Sequence, residues 1–262
     1  MEQQPKPSPK RIFLAALVLL AVFGITLNWL HLTPGGCYSK GMAIGASVCH
    51  QLPSHSYIRD DIQFPLCARC SGLYLGCFIG ILYYLTQGKK AGLPTKGYLI
   101  LLGALTFAWG GDGINSFMSD ILNRPFLYTT NNVTRLVTGF GMGLVLSTAL
   151  ITLFNLTIWK AALKQPLLRS PWQLGVYAVV AALTGLLLVF AGKVVFLSLA
   201  GIAILMVVVV ITLLYTIFWV IVTRHENSFE RFAQLWLFML AGFATAVLQI
   251  TLMTGLRTWL LG

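Results

Sequence analysis

Seven long apolar runs dominate this sequence and leave little choice of architecture. A hydrocarbon core about 30 Å thick needs about 20 residues of helix to cross it, because an α-helix rises only about 1.5 Å per residue. Runs at about 12–32, 66–86, 97–117, 133–158, 174–192, 194–222 and 233–256 have that length. In lipid every backbone polar group must be satisfied within the protein, so runs of this kind span as helices. Composition agrees: 57% of the 262 residues are hydrophobic and 10% are charged, with a mean hydropathy of +0.81, too apolar for a soluble domain of this length. The expected fold is all-α, a polytopic transmembrane helix bundle of about seven spans. The run at 12–32 follows Lys6, Lys10 and Arg11 as a signal peptide would, but it is long and lacks a convincing small-residue cleavage site, so it counts as a span.

Charge sets the expected orientation. The net charge of +11 is scattered over short segments between apolar runs, so it serves topology and implies no nucleic-acid partner. One set of alternate loops carries Lys6, Lys10 and Arg11, then Lys89, Lys90 and Lys96, then Lys160, Lys164 and Arg169, then Arg224 and Arg231. The other set is sparser, with Lys40 and Arg59 offset by Asp60 and Asp61, Arg124 offset by Asp120, and the single residues Lys193 and Arg257. Positive side chains are retained in the cytoplasm, which places the amino terminus there, the carboxyl end outside and the chain in the cell membrane. Trp29, Trp159, Trp172, Trp219, Trp236 and Trp259 fall near proposed helix ends, where an amphipathic ring sits best. Three regions are expected: a disordered, proline-rich tail over 1–11, a membrane core over 12–158 with a long outer loop, and three further helices over 159–262.

That outer loop, about residues 33 to 65, holds Cys37, Cys49, His50 and His55, and it runs into Pro65-Leu66-Cys67-Ala68-Arg69-Cys70. Pro65 suits the first turn of the second span, which places Cys67 in that turn. There, unpaired N–H groups, the helix dipole and Arg69 favour a thiolate, so Cys67 is expected to be unusually acidic. Cys67, Cys70, Tyr74 and Cys77 share one arc of this helix, whereas Gly72, Gly76 and Gly80 form a small-residue stripe for close helix packing. The outer ends of the third and fourth spans add Asp112 and Asn115, then Asn131, Asn132, Arg135 and Thr138. An intramembrane carboxylate needs a partner, and Arg135 is the expected one for Asp112.

At Cys49-His50-Gln51, Pro65 to Gly72, Asp112-Gly113 and Asn131-Asn132 with Arg135 and Thr138-Gly139, the chain resembles the prokaryotic membrane family called domain of unknown function 2085. The resemblance covers about residues 45 to 145, implies a multi-spanning protein and supplies no reaction. The family pattern has an apolar residue, Thr and Gln after Asp-Gly, whereas Ile114, Asn115 and Ser116 stand here.

The residues themselves leave three functional classes open. Cys49, His50, Cys67 and Cys70 could close a tetrahedral zinc site, with His55 as a substitute ligand. Asp112 would then act as general base and Arg135 as anion clamp, if the metal kept an open position for a lipid-linked substrate. Thiol–disulfide exchange is the alternative, passing electrons from Cys37 and Cys49 through Cys67 and Cys70 towards a quinone. Transport along the Asp112 and Arg135 path is the third, with no inverted repeat visible. Against all three stand cysteines that merely pack as small hydrophobes, as Cys77 is expected to do. A metal site uses His50 and tolerates loss of Cys37; exchange needs Cys37 and can spare His50.

Overall fold

The computed structural model describes residues 9–261. Eight α-helices are present among the described residues, and seven are long and apolar enough to cross a membrane. In chain order they are α1 (Pro9–Leu32), α2 (Cys37–Ala46), α3 (Ala68–Leu85), α4 (Lys96–Leu122), α5 (Asn132–Ile158), α6 (Pro171–Phe190), α7 (Lys193–Val222) and α8 (Trp236–Leu261), with α2 the short one. Four short strands accompany them: β1 (Ser56–Arg59), β2 (Ile62–Cys67), β3 (Lys90–Gly92) and β4 (Leu163–Pro166). The all-α expectation therefore holds and the spans fall close to their expected positions. Residues 1–8 of the expected tail lie outside the described residues, and Pro9 to Arg11 open α1.

The loop over residues 33–65 differs most from its expectation, because much of it is folded. Helix α2 occupies its first half, and β1 and β2 make an antiparallel hairpin in its second. Asp60 (φ 47°) and Asp61 (φ 60°) both adopt the left-handed conformation, as a two-residue hairpin turn requires. Short Asp side chains tolerate that region better than most because they can hydrogen-bond locally. The register shifts between the Ser56–Cys67 and Ile58–Gln63 pairs, so β2 carries extra residues there, among them Pro65. Pro65 thus lies in an irregular strand, not in the first turn of a helix, and suits a place where a ladder donor is missing anyway. Phe64 and Leu66 are fully buried, and Phe64 meets Phe196 of α7 edge to face at 5.3 Å.

The closest helix contact is between α3 and α5, along the expected glycine stripe. A Cβ added at Gly72 would lie 2.9 Å from the Phe140 nitrogen and 3.0 Å from the Gly139 Cα; one at Gly143 would lie 2.6 Å from the Leu73 carbonyl oxygen and 2.7 Å from the Cys77 nitrogen. Only hydrogen fits there, so backbone rests on backbone. Tyr84 Oη and Thr148 Oγ1 share a buried hydrogen bond of 2.7 Å further along the same interface. Around this pair, α7 and α8 complete the core, whereas α1 and α4 lie at the periphery with most of their residues exposed or half-buried. We expect Gly139→Val to destabilise the detergent-solubilised protein by about 1–3 kcal/mol, the usual cost of overpacking. Gly175→Ala, where an added Cβ meets nothing within 4 Å, should not lower the melting temperature, because Ala is the better helix former. Equal melting of the two variants would discount the glycine contact.

Successive spans run up and down, so the ends of α1, α4, α6 and α8 and the starts of α3, α5 and α7 meet at one end of the bundle. The hairpin and α2 cap that end. Arg59 donates to the Val189 carbonyl at the end of α6, and Thr254 of α8 donates to the Ala43 carbonyl of α2 at 2.9 Å. The opposite end is held differently: β3 pairs with β4 in parallel, and Asn155 donates to the Lys90 carbonyl at 2.8 Å.

Candidate metal centre

Three sulfurs converge under the hairpin. Those of Cys49, Cys67 and Cys70 all lie within 4.8 Å of one another. Chain topology explains how. Cys67 ends β2 and caps α3 with extended backbone (φ −65°, ψ 160°), and Cys70 follows in the first turn of the helix. Cys67 is therefore the cap residue and does not lie within the first turn as expected, yet its sulfur still faces the amino end of the helix. Cys49 arrives from the loop after α2 and is oriented by two backbone donors: Cys67 N–H at 3.1 Å and Gln51 N–H at 3.5 Å. Backbone N–H groups aimed at a sulfur stabilise negative charge on it.

The sulfurs share that charge unequally. The Cys67 thiol is held far below the usual thiol range, chiefly by hydrogen bonding with the Cys49 and then the Cys70 side chains, with help from the Cys70 N–H and against the opposing effect of burial. Cys49 is pushed up because it serves as the protonated partner of Cys67. The expectation of an acidic Cys67 thus agrees with the geometry, but neighbouring thiols contribute more than the helix end or Arg69.

Gln51, the third residue of the Cys-His-Gln motif, builds the loop. In a left-handed conformation (φ 56°), it donates from Nε2 to the carbonyls of Met42 and Pro65, both at 2.8 Å, while its own carbonyl accepts from Gln63 Nε2 at 2.8 Å. One side chain thereby ties α2, the Cys49 loop and β2 together. Arg257 of α8 clamps the same loop from outside, donating to the Cys49 and His50 carbonyls at 2.7 Å each. Neither role was visible in the sequence, where Gln51 was one letter of a motif and Arg257 an isolated loop charge.

His50 is exposed, and among the described residues no histidine nitrogen joins the three-sulfur group. Its Nδ1 accepts from the Leu52 N–H at 3.1 Å, which leaves Nε2 available. His55, the expected substitute ligand, is buried, with its ring 5.4 Å from that of His50 and Nε2 3.4 Å from Asp120 Oδ1. Burial, then the charge of Arg135, lowers its tendency to protonate, while Asp120 opposes both. Cys37 lies exposed at the start of α2 and does not belong to the cluster; Cys77 is fully buried in apolar surroundings, as expected. All five cysteines are free thiols.

The acid and arginines are paired differently from the expectation. Asp112 binds Arg69, not Arg135: Oδ2 accepts from Nε at 3.0 Å and from Nη2 at 2.5 Å, and the Asp112 carbonyl accepts from Nη2 at 3.0 Å. Oδ1 accepts from Tyr128 Oη at 2.7 Å, so both carboxylate oxygens are engaged at a position 2% exposed. Arg69, next to Cys70 in the first turn of α3, thus reaches α4. Arg135 instead donates to Asn132 Oδ1 at 3.0 Å, Ser116 Oγ at 2.9 Å and Thr130 Oγ1 at 3.0 Å, while its buried Nε has no partner. Asn131 caps α5 in a reciprocal capping box with Thr134, and Asn132 is joined to the hairpin through Tyr57 and Ser56. Asn115 holds the α4–α5 loop, accepting from the Leu127 N–H at 2.8 Å and donating to the Tyr128 carbonyl at 2.9 Å. This polar cluster is joined to the turn that carries Cys67 and Cys70 through Arg69.

Residues 49–149 match the family described as predicted membrane protein (DUF2085), a stretch that begins at the first of the three clustered cysteines and ends within α5. A relative from Methanothermobacter thermautotrophicus is 32% identical over 106 residues, which cover 40% of this chain and 86% of the relative. The chain belongs to this family. An uncharacterized protein from Methanocaldococcus jannaschii is 28% identical over 120 residues, 45% of this chain and 70% of that protein. No solved structure matches. The matched stretch holds the hairpin, the three-sulfur cluster and Asp112 with Arg69, whereas Arg257, which clamps the Cys49 loop, lies beyond it. The protein is thus a membrane protein whose family segment contains a cysteine cluster.

Proposed function

We propose that this family member is a multi-pass plasma-membrane protein that binds a transition metal, zinc, through Cys49, Cys67 and Cys70 on the outer side of the bilayer. The convergence of three sulfurs from separate segments is the observation that carries this reading. Tetrahedral zinc with bonds of about 2.3 Å sets its sulfurs roughly 3.7 Å apart. Sulfurs already within 4.8 Å of one another need only small adjustments to reach that spacing. Thiolate is a preferred zinc ligand, and backbone N–H groups already face the Cys49 sulfur. Three protein ligands leave a fourth position, to be filled by His50 through Nε2 in a structural site, or by water or a lipid-linked substrate in a catalytic one.

In this proposal Asp112 and Arg135 have positioning roles in place of the expected general base and anion clamp. Asp112 fixes Arg69, and so the turn that spaces Cys67 from Cys70; Arg135 links α5 to α4 beside it. Thiol–disulfide exchange is supported as a second reading by the depressed Cys67 thiol with two further thiols in reach. Its expected route joined Cys37 to Cys49, however, and the Cys49 sulfur sits with Cys67 and Cys70 while Cys37 stays apart on an exposed helix end. Metal analysis together with thiol titration of the detergent-purified protein separates the readings. Stoichiometric zinc with titratable thiols released by a chelator supports the metal site; metal-free protein with a reversibly reducible Cys67–Cys70 disulfide supports exchange.

The outward placement rests on charge. Lys89, Lys90, Lys96, Lys160, Lys164, Arg169, Arg224 and Arg231 all belong to the bundle end opposite the thiols. An alkaline phosphatase fused after Gly262 should therefore be active, and exposed Cys37 should react with a membrane-impermeant maleimide in intact cells. An inactive phosphatase together with an active cytoplasmic reporter at the same position would reverse the orientation.

A further inference from the structure

At the bundle end opposite the thiols, α1 stands off from its neighbours and leaves a cavity of about 1590 Å³ between itself, α8 and the end of α7. Its walls are apolar, with Leu17 and Ile25 of α1 facing Ala241, Ala244 and Leu248 of α8. Its mouth is polar, formed by Thr223, His225, Ser228, Arg231 and Gln234 in the α7–α8 loop. From Trp236 to Leu248 the α8 wall is roughly 18 Å long at about 1.5 Å per residue, close to the depth of one leaflet of a hydrocarbon core about 30 Å thick. The volume exceeds the ~300–1,000 Å³ of an ordinary small-molecule pocket. Length, apolar walls and position together fit hydrocarbon chains that enter from one leaflet.

The mouth determines what sits above those chains. Arg231 is a lining cation, and among the described residues no carboxylate lines the cavity. Its neighbour Glu230 is engaged elsewhere, with Oε1 3.2 Å from Lys160 Nζ. The Thr223 and Ser228 hydroxyls donate to the Trp219 and His225 carbonyls, whereas Gln234 accepts through Oε1 from the Glu230 and Arg231 N–H groups and keeps its Nε2 donors for phosphate oxygens beside Arg231. Basic pockets between spans at this level recognise anionic headgroups. We propose that this groove is a binding site for an anionic diacyl phospholipid, its phosphate at Arg231 and its chains between α1 and α8. The site is independent of the thiol cluster and of whether that cluster holds metal.

The test uses the full chain purified in mild detergent, stripped of lipid by detergent exchange, and titrated with phosphatidylglycerol or phosphatidylcholine under native mass spectrometry. Phosphatidylglycerol should bind at one per chain and about fivefold more tightly than phosphatidylcholine, the effect of about one favourable cation contact. Arg231→Gln should bring the two lipids to within about twofold by the same reasoning. Ala241→Phe should weaken both lipids by filling the groove. An unchanged melting temperature in each variant shows that the fold is intact. Equal binding of the two lipids by wild type, or an unchanged preference in Arg231→Gln, would overturn the proposal. So would retention of a lipid-linked pyrophosphate in preference to phosphatidylglycerol.

Discussion

Cys67→Ser should abolish metal binding, with zinc content falling from about one per chain to below about a tenth of that, the largest effect we expect of any single substitution. Cys67 is central in three ways. It is the thiol most readily ionised, it receives hydrogen bonds from both neighbouring cysteine side chains, and its backbone N–H donates to the Cys49 sulfur. Serine keeps the cap position and the backbone donor, so the fold should survive while a preferred thiolate ligand is lost. Cys37→Ser is the informative control: an exposed thiol outside the cluster should leave zinc at wild-type stoichiometry. His50→Ala separates the two forms of the site, because a ligand at the fourth position would lower affinity when removed and a bystander would not. Inductively coupled plasma mass spectrometry on size-excluded protein provides the measurement. Full zinc retention in Cys67→Ser would dismiss the centre, whatever the fate of the other variants.

The second large effect concerns the buried ion pair. Asp112→Ala should destabilise the protein by about 3–5 kcal/mol, because it leaves the Arg69 guanidinium without its carboxylate at a mostly buried position. The Arg69 side chain is 13% exposed and that of Asp112 1% exposed, so water does little to compensate. Tyr128 also loses its acceptor, which should loosen the loop between α4 and α5. Removing both charges, as in Arg69→Met with Asp112→Leu, should cost less than either charge-removing change alone, since no uncompensated charge remains. Arg135→Met combined with Asp112→Leu should show no such relief, as those two side chains share no hydrogen bond. Thermal unfolding in detergent provides the readout, and additive losses for the Arg69 and Asp112 pair would contradict it. Because Arg69 lies between the two motif cysteines, the same substitutions should also weaken zinc affinity without removing a ligand, a structural effect passed through one side chain.

How far the sequence predicted these features depended on the range of the interaction behind each. The seven spans were legible because a span is a local demand: enough apolar residues in a row to cross a fixed thickness, with every backbone group satisfied inside the segment. The small-residue stripe at Gly72, Gly76 and Gly80 was legible for a similar reason, since helical period alone puts those positions on one face. Cys67 and Cys70 announced themselves by spacing, and the family match at residues 49–149 agrees with the resemblance those motifs carried. The hairpin was not legible: its turn is Asp60-Asp61, not a glycine pair, and β2 includes a proline. Which arginine meets Asp112 could not be read from charges alone either. Arg69 and Arg135 lie at the same end of the bundle and both reach α4, and only the packing of the helices decides that Arg69 meets the Asp112 carboxylate while Arg135 meets Ser116. The chain's own chemistry thus determined that it enters a membrane and which residues could ligate metal. Bringing Cys49 to Cys67 and Cys70, with Gln51 and Arg257 holding the loop in place, fell to tertiary structure, because those contacts join residues far apart in the chain that no local periodicity relates.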